Sequence, residues 1–466
     1  MAEYQPKGYT LNEFSLLVSD DVVPTEDLSS LSFTGENAFD LRGICSAWNY
    51  YESLTSPSVR MEFVFYDTID LAAKLNGNEY IKLRITTDST PDEELEIIQK
   101  TFKIGEVTKS ERAQTYIVYS ASPEVTSNEV NRVFKTFKDQ PGTDSIKSIL
   151  KDNLKFDKKV DRWEPSRGNF NFLSPNWRPY DAIEYVTDKI TGSVSGKSGY
   201  IFWETYKGKN LCTIDFLCSG SNTSFSNPSV YTYTQANVGN DDVNAFKIET
   251  VNYPDRANHL EKLRTGMYST STIGIVAPAL TSGHLPSSGA TTEEGSTGSD
   301  DDTPSGSIQE PVNFTAQSVF GESNTLNPDF PFPKVNNEYF SEERPSRIKI
   351  RALPSMLYSE SAANPEGNAP NMKTDSVLAS AYAASRWQLM NAFNLDITVP
   401  GNVALTAGDI VEVRIPESTT TEEQSDRIEL DKTYSGKYLI VGVMHEYTVE
   451  GVTTILQLAK DSISNL

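Results

Sequence analysis

A chain of 466 residues is too long for a single hydrophobic core, which seldom grows beyond roughly 250–300 residues, so several cores are expected. Its 64 acidic against 41 basic residues leave a net charge of −23, which excludes sequence-independent clamping of duplex phosphates, a task for clustered Lys and Arg. With 37% hydrophobic, 10% aromatic and 23% charged residues the composition is that of an ordered soluble protein.

No run approaches the ~18 apolar residues of a membrane helix, and the opening MAEYQPKGYTLNEF lacks a basic segment followed by an apolar one. The expectation is synthesis in the cytosol and no membrane insertion. Cys45, Cys212 and Cys218 are odd in number and scattered, without metal-ligand pairs, and read as buried free thiols. The triplets at Asn222 and Asn313 match the glycosylation pattern by chance.

The first 120 residues read as strands around one short helix. SVRMEFVFYDT (58–68), IKLRITTD (81–88), with Ile81, Leu83 and Ile85 on one face, and AQTYIVYSAS (113–122) are the strands. Between the first two, IDLAAKLNG (69–77) has helical spacing stopped by Asn-Gly. This predicts a small β-barrel or sandwich carrying a helix.

EVTSNEVNRVF then predicts a helix start, with Thr126 as cap, Glu129 completing a capping box and Val125 with Val130 as a hydrophobic staple. Its stripe would be Val130, Val133, Phe134 and Phe137, before Pro141-Gly142. A second stripe follows at Ile146, Ile149, Leu150 and Leu154, and a third helix opens at Pro179 with Ile183, Val186 and Ile190 on one face. YIFWETYKGKNLCTIDF (200–216) reads as a hairpin turning near Gly208.

Residues 246–276 repeat the strand–helix–strand order and faintly echo the first block: Val64-Phe65-Tyr66, Lys74-Leu75 and Gly77 against Val251-Asn252-Tyr253, Lys262-Leu263 and Gly266. Residues 281–310, rich in Ser, Thr, Gly and Asp, read as a mobile linker. An Ala-rich helix at 374–393, with Ala384 and Leu389 toward a partner, leads into strands at 394–416 and 435–462.

Chemical motifs fail on spacing. Gly196-Lys197-Ser198 has Thr191 where a phosphate-cradling loop needs Gly, so it reads as a Gly/Ser loop. His259, His284 and His445 have no metal-ligand spacing, and His445 reads as a structural histidine in a strand. Asp300, Asp301 and Asp302 read as a solvated run, because the calcium-loop pattern puts Val312 where Glu is required. There is no GxSxG elbow. No catalytic residue, metal ligand or cofactor site is assigned. Trp177, Tyr180, Phe202, Trp203 and Tyr206 read mainly as a helix packed on a hairpin, with Trp177, Tyr180, Trp203 and Tyr206 as the candidate interface positions.

The order SPNWRPYDAIEYV…YIFWETYKGKNL, HLEKLRTGMYS, then ITVPGNVALTAGDIVEV…SGKYLIVGVMHEY…TTILQLAKDS resembles the central baseplate hub protein of contractile-tailed bacteriophages. The resemblance spans about two-thirds of the chain, chiefly 120–275 and 375–462. It rests on the order of structural signals, among them Val-Pro-Gly-Asn (399–402), Gly408-Asp409 and Ser435-Gly436-Lys437-Tyr438.

What the resemblance implies is a non-enzymatic virion protein of the tail baseplate. It would be a homotrimer, matching a sixfold tail tube to a threefold central spike, contacting the tube, the spike and surrounding baseplate proteins, and letting DNA pass without specific nucleic-acid binding. The fold would be mainly β with α+β insertions: two tube-like β-barrel domains plus a connecting α/β domain. The expected boundaries are 1–122 for the first barrel, 123–224 and 278–385 for the connecting domain, and 225–277 and 386–466 for the second barrel. A tail-associated cell-wall-degrading enzyme and a receptor-binding β protein are the alternatives. An acidic lumen would repel passing phosphates.

Overall fold

The computed structural model describes residues 7–18, 28, 31–156, 160–234, 245–254, 258–276, 311–328, 345–353, 372–417 and 430–462. The expected linker 281–310, with His284 and Asp300 to Asp302, lies outside the described residues, as does most of the acidic loop 417–433.

The first seven strands are β1 (Tyr9–Leu17), β2 (Ala38–Asp40), β3 (Cys45–Ser53), β4 (Arg60–Asp67), β5 (Tyr80–Thr87), β6 (Thr90–Lys109) and β7 (Gln114–Ala121). They pair antiparallel in the order β3-β4-β7-β6-β5-β1-β2. Alternation sends Met61, Phe63 and Phe65 of β4 and Ile81, Leu83 and Ile85 of β5 into one core with Trp48 and Tyr116. The helix expected at 69–77 is a single 3-10 turn, Leu71–Lys74, in which Leu71 alone is buried. The Asp67 carboxylate organises it by accepting the backbone N–H groups of Ile69 and Ala72.

The connecting region runs α1 (Glu124–Val130), β8 (Val133–Pro141), α2 (Gly142–Asp152), β9 (Val160–Trp163), β10 (Asn169–Trp177), α3 (Pro179–Thr187), β11 (Tyr200–Thr205), β12 (Gly208–Thr213), α4 (Ile214–Leu217) and α5 (Thr223–Ser226). The helix expected through Phe137 stops at Val130. Pro123, not Thr126, stands at the N-cap, no side chain caps the helix, and the chain leaves it at Asn131 to become β8, paired antiparallel with β10. Val133 and Phe137 are buried as expected, because a spacing of four keeps two residues on one face of a strand as well as of a helix. Val130 and Phe134, which the helix would have buried, are 75% and 78% exposed.

The other expected helices form where expected. Ile146, Ile149 and Leu150 of α2 pack with Leu154, Ile183, Val186 and Ile190 in a second core, and Pro179 occupies the first turn of α3. The hairpin β11/β12 turns at Tyr206-Lys207, just before Gly208.

The chain continues through β13 (Ser229–Tyr233), β14 (Lys247–Ile248), β15 (Thr250–Asn252), α6 (His259–Thr265), β16 (Ser269–Val276), β17 (Val312–Thr315), α7 (Ala316–Glu322), β18 (Arg347–Leu353) and α8 (Met372–Met390). It ends in β19 (Phe393–Pro400), β20 (Ile410–Arg414), β21 (Gly436–Thr448) and β22 (Gly451–Lys460). Strand β16 pairs with β17 and β18 in a separate sheet, not with the strands before it. The echoing glycines Gly77 and Gly266 both hold left-handed backbone, at φ 86° and 80°. Leu389 of α8, expected to face a partner, is instead fully buried in the chain's own core against Phe314 and Val319.

A second barrel closes through β13-β20-β21-β22-β19-β15. Its last link is the stretch Lys247–Asn252: β14 pairs with β13, β15 pairs with β19, and Glu249 between them donates its N–H to the Thr398 carbonyl. The long β21 belongs to both barrels. Its first residues pair with β20, while Gly442 to Thr448 pair with β3. The β21/β22 hairpin therefore sends Ile440, Val443, Leu456 and Leu458 into the second barrel's core and Tyr447 and Val452 into the first. Val452 also donates its N–H to the Lys7 carbonyl, joining the hairpin to the start of β1. The fold is mainly β with α/β parts, as expected.

Candidate docking groove and the joint beneath it

The segment 171–209 supplies the candidate interface residues, and the structure separates them. Trp177, at the end of β10, packs on Tyr185 of α3 at 4.9 Å between ring centroids. Tyr180, in the first turn of α3, faces Phe202 of β11 at 6.1 Å. Both border an open groove of about 1090 Å³, whose walls are α3, β11, the Leu54–Pro57 loop and the Ala383–Trp387 turn of α8. Phe202 and Trp387 share the lining; Trp387 could not be placed there from local sequence, since it arrives on α8, far along the chain.

Trp203 is withdrawn from the interface set. It is fully buried, facing the opposite way from Phe202 on the same strand, and its indole N–H donates to the Ala407 carbonyl at 2.9 Å. The same carbonyl accepts from the Arg162 guanidinium at 3.0 Å, and Arg162 also pairs with Asp409 at 2.5 Å. Gly408 adopts φ +95°, and a Cβ there would lie 2.8 Å from both Trp203 and Arg162. The Gly408-Asp409 turn is thus the socket for Trp203, with Gly408 leaving room for the indole and Asp409 holding Arg162. Tyr206 packs against the first core, and its backbone N–H is committed to Glu52.

Two buried acids lock the hairpin in place. Glu204 pairs with Lys209 at 3.0 Å, both fully buried; Lys209 donates to the Pro57 carbonyl and the Tyr180 hydroxyl, and Glu204 accepts from the Val59 N–H and the Ser122 hydroxyl. Such a pair tolerates burial only because these further hydrogen bonds replace the lost water. Burial, with Glu204 and Glu124 nearby, pushes the Tyr180 phenol well above its ordinary range, so it stays protonated.

Glu52 joins three pieces of chain. One carboxylate oxygen accepts the Tyr50 hydroxyl and the Tyr206 N–H; the other accepts the Ala407 N–H. Burial pushes its pKa up to about 7, against the pull of these donors. Next to it His445, stacked on Tyr50 at 5.4 Å, is fully buried with Nδ1 3.0 Å from the Thr454 hydroxyl, and burial lowers its pKa to about 3. It is a neutral structural histidine.

The Gly196-Lys197-Ser198 turn is closed on itself. The Gly192 N–H donates to the Lys197 carbonyl, the Ser198 hydroxyl to the Ala379 carbonyl, and the Lys197 ammonium lies 3.5 Å from Glu322. The buried Glu164 carboxylate accepts the Ser195 N–H at 2.8 Å, and a Cβ on Gly192 would collide with it. The Gly192 and Ser195 N–H groups that a phosphate would need are thus already committed within the chain, which fits a Gly/Ser loop. The thiols of Cys45, Cys212 and Cys218 are free; burial raises that of Cys45 to about 12 and keeps it protonated. Asn222 is buried with its amide donating to the Leu217 and Gly408 carbonyls, which removes it as a glycosylation acceptor.

No protein-family model matches the chain, and no curated protein matches its sequence. Among solved structures it is similar to the tail protein from Neisseria meningitidis MC58, with TM-score 0.51 and 11% identity over 98% of this chain and 100% of that one. It is also similar to the 43 kDa tail protein of prophage MuSo2 from Shewanella oneidensis, with TM-score 0.50 and 10% identity over 96% and 98% of the two chains. At such identities the likeness is one of fold, and it extends over nearly the whole of each chain.

Proposed function

From the premise of a fold shared end to end with tail proteins, we propose that this chain is a structural baseplate hub subunit of a contractile phage tail. Three copies form a ring that adapts a sixfold tail tube to a threefold central spike, and DNA passes through it. The observation that carries the reading is the pair of barrels built on one continuous sheet and seamed by β21. Two like barrels per chain, three chains to a ring, present six similar edges to a sixfold tube and three whole subunits to a threefold spike.

The same reading divides the chain into a first barrel at 1–122, a connecting domain at 123–224 and 278–385, and a second barrel at 225–277 and 386–466. The pairing of β16 with β17 and β18 supports ending the inner part of the second barrel before Ser269 rather than at 277. The partners are a second and third copy, the tube, the spike and surrounding baseplate proteins, and the place is the virion tail. The net charge of −23 supports a lumen that repels rather than holds phosphates. The test is light scattering together with end-on electron microscopy of the purified full chain, alone and with its spike. Rings of three are expected; a monomer under both conditions overturns the reading.

A further inference from the structure

Two surface features complement one another. The outer face of the β8/β10 ribbon carries Phe134, Thr136 and Lys138 in strand alternation, led by Arg132, with Pro175 and Leu173 opposite Phe134 and Thr136. Phe134, Leu173 diagonally across the ribbon and Val130, four residues before Phe134, are all exposed, apolar surface that an isolated chain rarely keeps. The inner face, Val133, Phe137, Phe170 and Phe172, packs with Ile183 and Val186 of α3, so this ridge looks away from that helix.

The groove opens on the opposite face of α3, lined by aromatic rings and rimmed by the exposed carboxylates of Asp181 and Glu184. Among the described residues neither acid forms an ion pair, whereas Asp188, one turn on from Glu184, is held by Arg351 and Lys189. The lining's own cations, Arg351 and Lys189, are thus engaged at Asp188, and the two rim acids are open to cations from another chain. The ridge offers them, together with apolar side chains.

We propose that the ridge of one copy seats in the groove of the next, with Phe134 and Leu173 on the aromatic lining and Arg132 and Lys138 against Asp181 and Glu184. Because ridge and groove are different patches on opposite sides of α3, the contact is heterologous and repeats head to tail until the ring closes. It rests on the ring of three proposed above and assigns the surfaces that build it.

The test is the subunit dissociation constant, from sedimentation of the full chain across a dilution series. Three charge variants are compared with the native chain: Asp181→Lys with Glu184→Lys, Arg132→Glu with Lys138→Glu, and all four together. Each reversed pair should weaken the ring at least tenfold by placing like charges together, and the fourfold variant should return to within about threefold of native. Phe134→Ser, at an exposed site that folding does not need, should also weaken it about tenfold, with circular dichroism confirming an unchanged fold. A native chain that is monomeric throughout overturns the ring and this contact together. A native ring that the reversed pairs leave intact, or that the fourfold variant fails to restore, overturns the contact alone.

Discussion

The indole of Trp48 lies flat on the ring of Tyr447, with centroids 5.4 Å apart and planes 2° from parallel, and the Tyr447 hydroxyl shares a 3.0 Å hydrogen bond with that of Tyr9. One side chain at the tip of β21 thus meets β3 and β1 of the first barrel. Tyr447→Ala should cost roughly 3–5 kcal/mol of stability, as for other large aromatic deletions, and Tyr447→Phe about 1. Urea unfolding gives both values. Combining Tyr447→Phe with Tyr9→Phe should add little, since each removes the same hydrogen bond.

Glu52 and His445 give opposing pH dependences. The Glu52 pKa rises from 4.5 to about 7 on folding, so its ionised form is disfavoured in the fold. The penalty is absent below pH 4.5, grows to roughly 3 kcal/mol by pH 7 and is constant above. The His445 pKa falls from 6.5 to about 3, so its penalty is absent above pH 6.5 and grows as pH falls toward 3. Between pH 4.5 and 6.5 the two slopes cancel. Glu52→Gln removes the first and should expose a loss of stability on acidification from pH 6.5, read from urea midpoints; an unchanged pH profile would show that Glu52 is not the titrating group.

Gly408→Ala tests the Trp203 socket. The backbone at φ +95° strains any side chain, and the new Cβ meets Trp203 and Arg162 at 2.8 Å. A loss of roughly 2–3 kcal/mol is expected, with the sum of a strained backbone and a displaced indole. Red-shifted tryptophan emission should accompany it, because Trp203 is otherwise shielded from water.

Arg386 of α8 is fully buried, 3.0 Å from Asp461 and 3.6 Å from Asp215. Arg386→Met strands two carboxylates in the interior and should cost roughly 3–5 kcal/mol. Adding Asp461→Asn should recover part of that loss, as thermal melts would register; no recovery would mean that lost packing, rather than stranded charge, explains the effect.

The strands with clean alternation, 58–68 and 81–88, and the stripes of α2 and α3 were legible because each periodicity was unbroken. The stretch 130–137 was not, since Val133 and Phe137 satisfy helix and strand alike and the partner strand that decides between them lies beyond residue 168. Strand β6, with register shifts after Thr101 and Gly105, hides its period behind its own bulges. At the groove, Trp177 and Tyr180 were readable as aromatics in a Pro-opened motif. Residue type alone could not tell that Phe202 faces the groove while Trp203 faces Ala407. Glu52 was invisible for a similar reason: beyond Tyr50 on its own strand, its donors at Tyr206 and Ala407 come from parts of the chain that only the fold brings together.

The sharing of β21 between the barrels also sets a timetable for synthesis. The seven strands that open the chain leave the ribosome early, but the hairpin that supplies Tyr447 and Val452 to their core follows only about 330 residues later. At elongation rates of about 5–20 residues per second that interval is roughly 20–70 s, during which the edge of β3 that β21 will cover waits unpaired. A ribosome stalled anywhere before residue 436 is therefore expected to leave a product whose uncovered β3 edge can pair with its neighbours on the same message.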